Sequence, residues 1–385
     1  YKNILEGHDG YWVLSYYPGV TRSFGGFPAA PRSLGGYTFV VKFKDGKVTA
    51  SSEISNTNAE EESYYTYSIT EGPTISFDTY NSILDHFRFV SAVFTNARGG
   101  DIEFIFLKEE NGVITLRGRT SNNLMTLTKL TGDREALLNK LRENTQALNS
   151  KGLNPITVQG TQVDLTLFPS YRQLVFSYGG NIVQRPFTIT EKGIKFYEPV
   201  SINNVTLSEL YFNEDKTALV SPDANFSSAL VPSPLTITNS TVISFEDSKA
   251  SPYLIEKYEA AKSWAENIFS WGTLSKKVKL VPMTGNEGEN ATGIEIVETT
   301  EDGSGWSGYY LVDFVGVAGA PTQVKFLSKG PQDSKENYLY FFKDPAIWLA
   351  EILVRSAPYT VENHSSEYYR LISVGDANVW FLVKK

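Results

Sequence analysis

Three histidines, His8, His86 and His364, are the first side chains to test for chemistry, because imidazole exchanges protons near neutral pH. They stand far apart, and none has the His-Glu-x-x-His spacing that sets two zinc ligands on one helix face. No Gly-x-Ser-x-Gly elbow occurs, so serine hydrolysis has no motif to rest on. A P-loop and a dinucleotide fingerprint are also missing; Gly25-Gly26 and Gly35-Gly36 flank a loop instead of opening a helix. Asp101 and Glu103 are two apart on a predicted strand, hence on one face, and glycosidases need two carboxylates about 5–10 Å apart. A solvated strand face gives the same pattern. Glu301-Asp302-Gly303-Ser304-Gly305 offers oxygen ligands to a hard cation, or is an acidic turn, since the alternating acids of a calcium loop are missing. With no Cys in the chain, zinc would have only His and carboxylates. The residues therefore predict no catalytic set, no metal site and no cofactor.

Aromatic rings are the other candidates. Trp306-Ser-Gly-Tyr309-Tyr310 follows the acidic turn, and a flat ring on a Gly-rich loop suits the C–H face of a sugar. Tyr65 and Tyr67, beside Tyr64, form a second cluster. Trp306, Tyr309, Tyr310, Tyr65 and Tyr67 are the predicted ligand-binding residues, with core or hairpin packing as the alternative for each. Aromatics make up 13% of the chain, which suits pleated strands as well as a binding surface. The net charge of −8 and the short basic run Lys276-Lys277-Val-Lys279 argue against a nucleic-acid partner. No apolar run approaches the roughly 20 residues that span a bilayer. The chain starts at Tyr1 without Met, which reads as a processed product.

The elements that must position these residues are mostly strands. Tyr37, Phe39, Val41 and Phe43 alternate onto one face, and Asp45-Gly46 and Asn111-Gly112 are hairpin signals. Tyr178-Gly179-Gly180 marks another turn. Val20 to Gly36 reads as a Gly- and Pro-rich loop. Gly132 to Ser150 reads as a helix capped by Asp133, with Leu137, Leu141 and Leu148 in one stripe. Ser251-Pro252 opens a second helix, with Leu254, Tyr258, Ala261, Ala265 and Ile268 as its stripe. Strands are predicted after it, including Tyr338 to Phe342, and a short helix runs from Asp344-Pro345 to Val354. An internal echo orders the first 220 residues. Val41–Val48 resembles Leu174–Val183, Tyr67–Phe77 resembles Phe187–Phe196, and Glu103–Phe106 resembles Glu209–Phe212. The echo retains Glu103 as Glu209, while Asp101 becomes Leu207. Such a repeat predicts tandem related β modules. The predicted fold is mainly β with an α+β C-terminal region: tandem related antiparallel β modules joined by a helix. The predicted units are module 1 over 1–131, the connecting helix over 132–152, module 2 over 153–250, and the α+β region over 251–385. Residues 221–250 read as a linker or irregular edge.

The run Gly10-Tyr11-Trp12-Val13-Leu14-Ser15-Tyr16-Tyr17-Pro18-Gly19 resembles the opening of a family of Bacteroidetes lipoproteins, domain of unknown function 4302. The resemblance continues through Gly36-Tyr37-Thr-Phe39, Phe43-Lys-Asp45-Gly46, Gly72-Pro73 to Asn81, and Gly99-Gly100-Asp101-Ile-Glu103-Phe104. It ends near Leu116-Arg-Gly118. The resemblance implies an exported protein with a signal peptide removed, attached to the outer membrane or cell surface by a lipid on an upstream Cys. It also implies a setting near an outer-membrane nutrient-uptake complex. The expected role is a non-enzymatic accessory in nutrient binding or uptake, with a glycan as the candidate ligand. A carboxylate-based secreted hydrolase and a structural subunit of a surface complex are the alternatives.

Overall fold

The computed structural model describes residues 1–55, 57–69, 72–89, 98–222, 226–268, 272–283, 291–300, 305–331 and 346–385. A short helix, α1 (Lys2–Glu6), precedes β1 (Trp12–Tyr16). A hairpin of β2 (Arg22–Phe24) and β3 (Phe27–Ala30) follows. Seven strands then run as a meander: β4 (Tyr37–Lys44), β5 (Lys47–Ser52), β6 (Glu61–Ser68), β7 (Thr74–Phe77), β8 (Glu103–Glu110), β9 (Val113–Gly118) and β10 (Leu124–Lys129). β1 lies between β10 and β4 and closes an eight-stranded barrel. Successive strand residues face opposite ways, so Trp12, Leu14 and Tyr16 enter the core while Val13 and Ser15 face outward. The turns read from sequence hold. Asp45 and Gly46, and Asn111 and Gly112, all take positive φ, as a two-residue hairpin turn of the I′ type requires.

α2 (Arg134–Leu148) links this barrel to the second module. The Asp133 carboxylate caps it by accepting from the Ala136 amide at 2.7 Å. The predicted Leu137, Leu141 and Leu148 stripe is buried. The second sheet comprises β11 (Lys151–Leu153), β12 (Ile156–Val158), β13 (Thr161–Phe168), β14 (Gln173–Tyr178), β15 (Asn181–Ile189), β16 (Gly193–Ile202), β17 (Val205–Phe212), β18 (Ala218–Val220) and β19 (Ser227–Pro232). β13 to β19 form a seven-strand meander. β11 bonds to β19 and lies beside β13, so the sheet curls almost into a second barrel.

The third sheet begins with β20 (Val242–Ser244). α3 (Pro252–Ile268) and β21 (Gly272–Leu274) come next. Its meander is β22 (Lys277–Met283), β23 (Ala291–Thr300), β24 (Gly305–Val317), β25 (Ala320–Pro331), then α4 (Ala346–Arg355), then β26 (Tyr359–Asn363), β27 (Tyr368–Ser373) and β28 (Trp380–Lys384). β20 pairs with both β22 and β28, and β23 pairs with β24, so eight strands close a ring. The predicted Tyr338 to Phe342 strand and the Asp344-Pro345 start of α4 lie outside the described residues.

The C-terminal region has the two helices expected of it, yet its strands repeat the first barrel's plan. In each of the three modules a first strand (β1, β11, β20) precedes a seven-strand meander and sits at its seam. The insertion after that first strand differs: the β2–β3 hairpin, β12, or α3 with β21. Two parts of the sequence echo fit this plan, since β6–β7 and β15–β16 are each the third and fourth meander strands and β8 and β17 each the fifth. The Val41–Val48 echo does not: it pairs β4–β5 with β14–β15, one strand out of step. Two other expectations are corrected. The Val20 to Gly36 loop contains a hairpin, and the 221–250 linker contains β19 and β20, the latter a strand of the third sheet.

Six consecutive residues, Phe168 to Gln173, tie the modules together at the β13–β14 turn. Arg172 makes two ion-paired bonds to Glu53 at 2.9 and 3.1 Å and donates to the Gly36 carbonyl. Gln173 donates to the Arg32 carbonyl. Ser170 donates to Asp313 and accepts from Lys329, both at 2.6 Å, and Lys329 lies over the Tyr171 ring. Phe168 meets Phe27 of the β2–β3 hairpin, whose Gly25 amide reaches the Ser328 carbonyl in β25. A short turn of the second module thus contacts both neighbours.

Candidate functional site

A cleft of about 630 Å³ lies where the first barrel meets the second module. Its floor is the outer face of β4, β1 and β10. The ladders place Ser15 opposite Thr38 on one side and opposite Thr126 on the other, so three hydroxyls form a row across three strands. Val13 and Thr128 form the next row. This follows from strand alternation: inward positions hold Trp12, Leu14, Met125 and Leu127, which leaves Ser and Thr outside. β15 and β16 build the wall with Thr188, Lys195 and Tyr197, Thr190 adds to it from their turn, and Leu137 and Leu141 of α2 give it an apolar side.

One end of the cleft is fixed by aromatic and charged groups. Tyr17 meets Tyr197 edge-on at 4.6 Å, and the Arg32 guanidinium stacks on Tyr197 at 4.0 Å. Arg32 also donates to Asn123 and lies 3.7 Å from Glu198. The Tyr197 hydroxyl accepts from the Leu124 amide at 2.8 Å. Burial pushes the Tyr17 phenol well above the usual range, outweighing a hydrogen bond with Thr188 that lowers it, so Tyr17 is a neutral group at this end. The arrangement offers neutral hydroxyls in register, a fixed ring, and Lys and Glu at its edges. Such a surface can bind a polyhydroxylated or mixed polar ligand; among the described residues that line it, no hydroxyl is hydrogen-bonded to a side-chain base.

The residues singled out from sequence lie elsewhere. Tyr65 is inside the first barrel, edge-on to Phe43, with its hydroxyl 2.6 Å from Glu6. Tyr67 is half-buried beside Phe106. Tyr310 is in the third core and shares a hydrogen bond with Ser328, whereas Tyr309, on the opposite face of β24, donates to Glu295 at 3.0 Å. The Trp306 side chain and Glu301 to Ser304 lie outside the described residues. The two aromatic groups belong to different modules and are not brought together, and Tyr65 and Tyr310 are buried as core residues.

The carboxylate pair is also reassigned. Asp101 lies before β8, fully buried, and accepts from the Thr120 and Ser121 amides at 2.6 and 3.0 Å. Glu103, the first residue of β8, is partly exposed and bonds to Ser76 and Arg119. The first is a loop staple and the second a surface ion pair. The histidines do not converge: His8 contacts Trp12, His86 contacts Phe87, and His364 lies in the β26–β27 turn. Among the described residues no group of three His, Asp or Glu side chains could hold a metal. Sequence reasoning passed over Ser15, Thr38, Thr126 and Tyr197 because a hydroxyl on an outward strand position is ordinary until the ladder aligns it with others. The signal available was the Ser/Thr alternation in Leu124-Met-Thr126-Leu-Thr128.

Comparison with curated proteins gives no match. Among solved structures, a DNA polymerase III subunit beta sliding clamp from Bartonella birtlesii aligns over 97% of this chain and 90% of that one at 7% identity, with a TM-score of 0.13 that supports no structural argument. Residues 1–214 match the family Domain of unknown function (DUF4302), through the first barrel and the second module as far as β17. The chain belongs to that family.

Proposed function

We propose that this protein is an exported, lipid-anchored surface protein that binds a nutrient without transforming it, and that the cleft between the first and second modules is its binding site. A glycan is the ligand class that fits best. The observation that carries the reading is the in-register row Thr38, Ser15 and Thr126, which lines one cleft together with the Arg32-stacked Tyr197. Hydroxyl rows hydrogen-bond sugar hydroxyls, and an adjacent aromatic face shields sugar C–H bonds. Export, a lipid anchor, an outer-membrane setting and a place beside a Bacteroidetes uptake complex rest on the resemblance of Gly10–Gly19 and the motifs that follow it to lipoproteins of this family. The hydrolase alternative loses support from Asp101, which is buried before β8 with its Oδ1 accepting from two backbone amides, away from the partly exposed Glu103 carboxylate that pairs with Arg119.

A thermal-shift screen against oligosaccharides tests the reading. A ligand at about 100 times its Kd adds roughly 2.7 kcal/mol and moves Tm by about 5 °C or more. Thr126→Leu fills the cleft floor and should abolish the shift without changing the unliganded Tm by more than about 2 °C. Trp306→Ala with Tyr309→Ala should leave the shift in place. A shift lost only in the second variant would move the site to β24, and no shift with any sugar would reject glycan binding.

A further inference from the structure

A second cleft, of about 400 Å³, opens where the second module meets the third. Its place repeats that of the first cleft. Each is bounded on one side by a module's seam strand and first meander strand, β1 with β4 or β11 with β13. On the other side stand the third and fourth meander strands of the next module, β15–β16 or β24–β25. A volume of this size suits a small ligand, since such pockets span about 300–1,000 Å³.

The side chains that face this cleft differ in chemistry from those of the first. On β13, Val163, Leu165 and Leu167 enter the second core, so alternation turns Asp164 and Thr166 outward. The β13–β14 ladder sets Ser177 opposite Asp164. On β25, Val324 and Phe326 enter the third core, which turns Lys325 and Leu327 outward, and Val315 of β24 stands opposite Lys325. Val315 and Leu327 pack with Phe168 and Val175 of the second module, which fixes their outward direction. Asp164 and Lys325 are exposed. Asp164 accepts from the Gln162 amide at 3.2 Å, and among the described residues neither Asp164 nor Lys325 has an ion-pair partner. One wall therefore presents a carboxylate beside a hydroxyl, the other presents an ammonium, and Val315 and Leu327 add apolar surface. Opposite charges left unpaired on opposite walls complement a molecule that carries both. We propose that this cleft binds a free amino acid or short peptide as a zwitterion. The ligand ammonium meets Asp164 and Ser177, its carboxylate meets Lys325, and an apolar side chain lies against Val315 and Leu327. A neutral sugar would use neither charge, so the site is distinct from the first cleft in ligand as well as in place.

The test is calorimetric titration of the full chain with leucine, dileucine and trileucine, at concentrations that detect a Kd up to about 1 mM. The expected result is one-to-one binding of at least one of the three, and which one sets the length the cleft accepts. Its N-acetylated and C-terminally amidated forms should bind at least tenfold more weakly. Asp164→Asn should erase the preference against the acetylated form, and Lys325→Gln the preference against the amidated form. Both side chains are exposed, so each variant should melt within about 2 °C of the parent chain. Thr126→Leu, in the first cleft, should leave peptide binding intact, which separates failure here from failure of the glycan reading. No heat with any of the three probes, blocked forms that bind as well as the free one, or binding unchanged by both substitutions would overturn the proposal. Peptide binding lost with Thr126→Leu would overturn it too. So would a stability coupling between Asp164 and Lys325 in a double-mutant cycle without peptide binding, which would assign the two charges to holding the modules together.

Discussion

Glu298 shares a face of β23 with Ile294 and Ile296, two core residues of the third barrel. It is 1% exposed, and one carboxyl oxygen has no hydrogen-bond partner. Burial alone pushes its pKa up. The folded state therefore holds this proton to higher pH than the unfolded chain does. Its contribution is fully present below the unfolded pKa near 4.5 and is lost as pH rises through the raised folded value. Glu298→Gln should flatten that slope, raising Tm at pH 8 more than at pH 4 in paired melts; an equal shift at both would show that the carboxyl does not titrate in this way. Asp101 is also buried, and its Oδ1 accepts from two backbone amides. Asp101→Ala should cost about 2–4 kcal/mol in urea unfolding, and a loss below about 0.5 kcal/mol would reject the staple role. The sequence marked Asp101 as a residue of interest. It could not tell a catalytic acid from a staple, because that depends on the Thr120 and Ser121 amides about twenty residues later.

Among the elements, turns and caps were the most legible. Asp45-Gly46, Asn111-Gly112 and Gly179-Gly180 carry their geometry in their own residue types, since paired positive φ values need Gly and tolerate Asn or Asp. Asp133 as a helix cap was equally local, and Asp133→Ala should cost about 1 kcal/mol by urea denaturation. The close approach of β11, β19 and β24 was not legible. A Cβ on Gly152 would collide with the Gly316 carbonyl, and a Cβ on Gly316 with the carbonyls of Val231 and Pro232. Gly316→Ala should therefore cost about 1–3 kcal/mol and expose the second–third junction to protease. An unchanged cleavage pattern and stability would show that the strands shift to accommodate a methyl group. Nothing near Gly316 in sequence announces this, because its neighbours come from another module.

At the scale of the molecule, a buried ion pair helps hold the first two modules together. Arg172 and Glu53 are both excluded from water, and each is the other's charge partner. Removing one partner leaves the other charged and buried, so Arg172→Met should destabilise by about 3–5 kcal/mol. Arg172→Met combined with Glu53→Gln should recover much of that loss, since no uncompensated charge remains. Additive losses in the double variant would mean that the modules are held by something other than this pair. The cleft depends on the same geometry: its floor belongs to one module and its wall to the next, so a shift between them would separate Ser15 from Tyr197.

By itself the sequence determined what is local or periodic. Alternating apolar residues specified strands, i,i+4 leucines specified α2, and Gly-containing pairs specified hairpins, because each signal lies within a few residues and reflects backbone geometry. It also revealed that the first two modules are related, through short echoes of which two fall on equivalent strands. Only the tertiary structure decided that the third region repeats the same strand order, that a six-residue turn contacts both neighbouring modules, and that three hydroxyls on separate strands form one row. Strand order, module docking and cross-strand register depend on residues far apart in the chain meeting in space, and no single stretch of sequence records its partners.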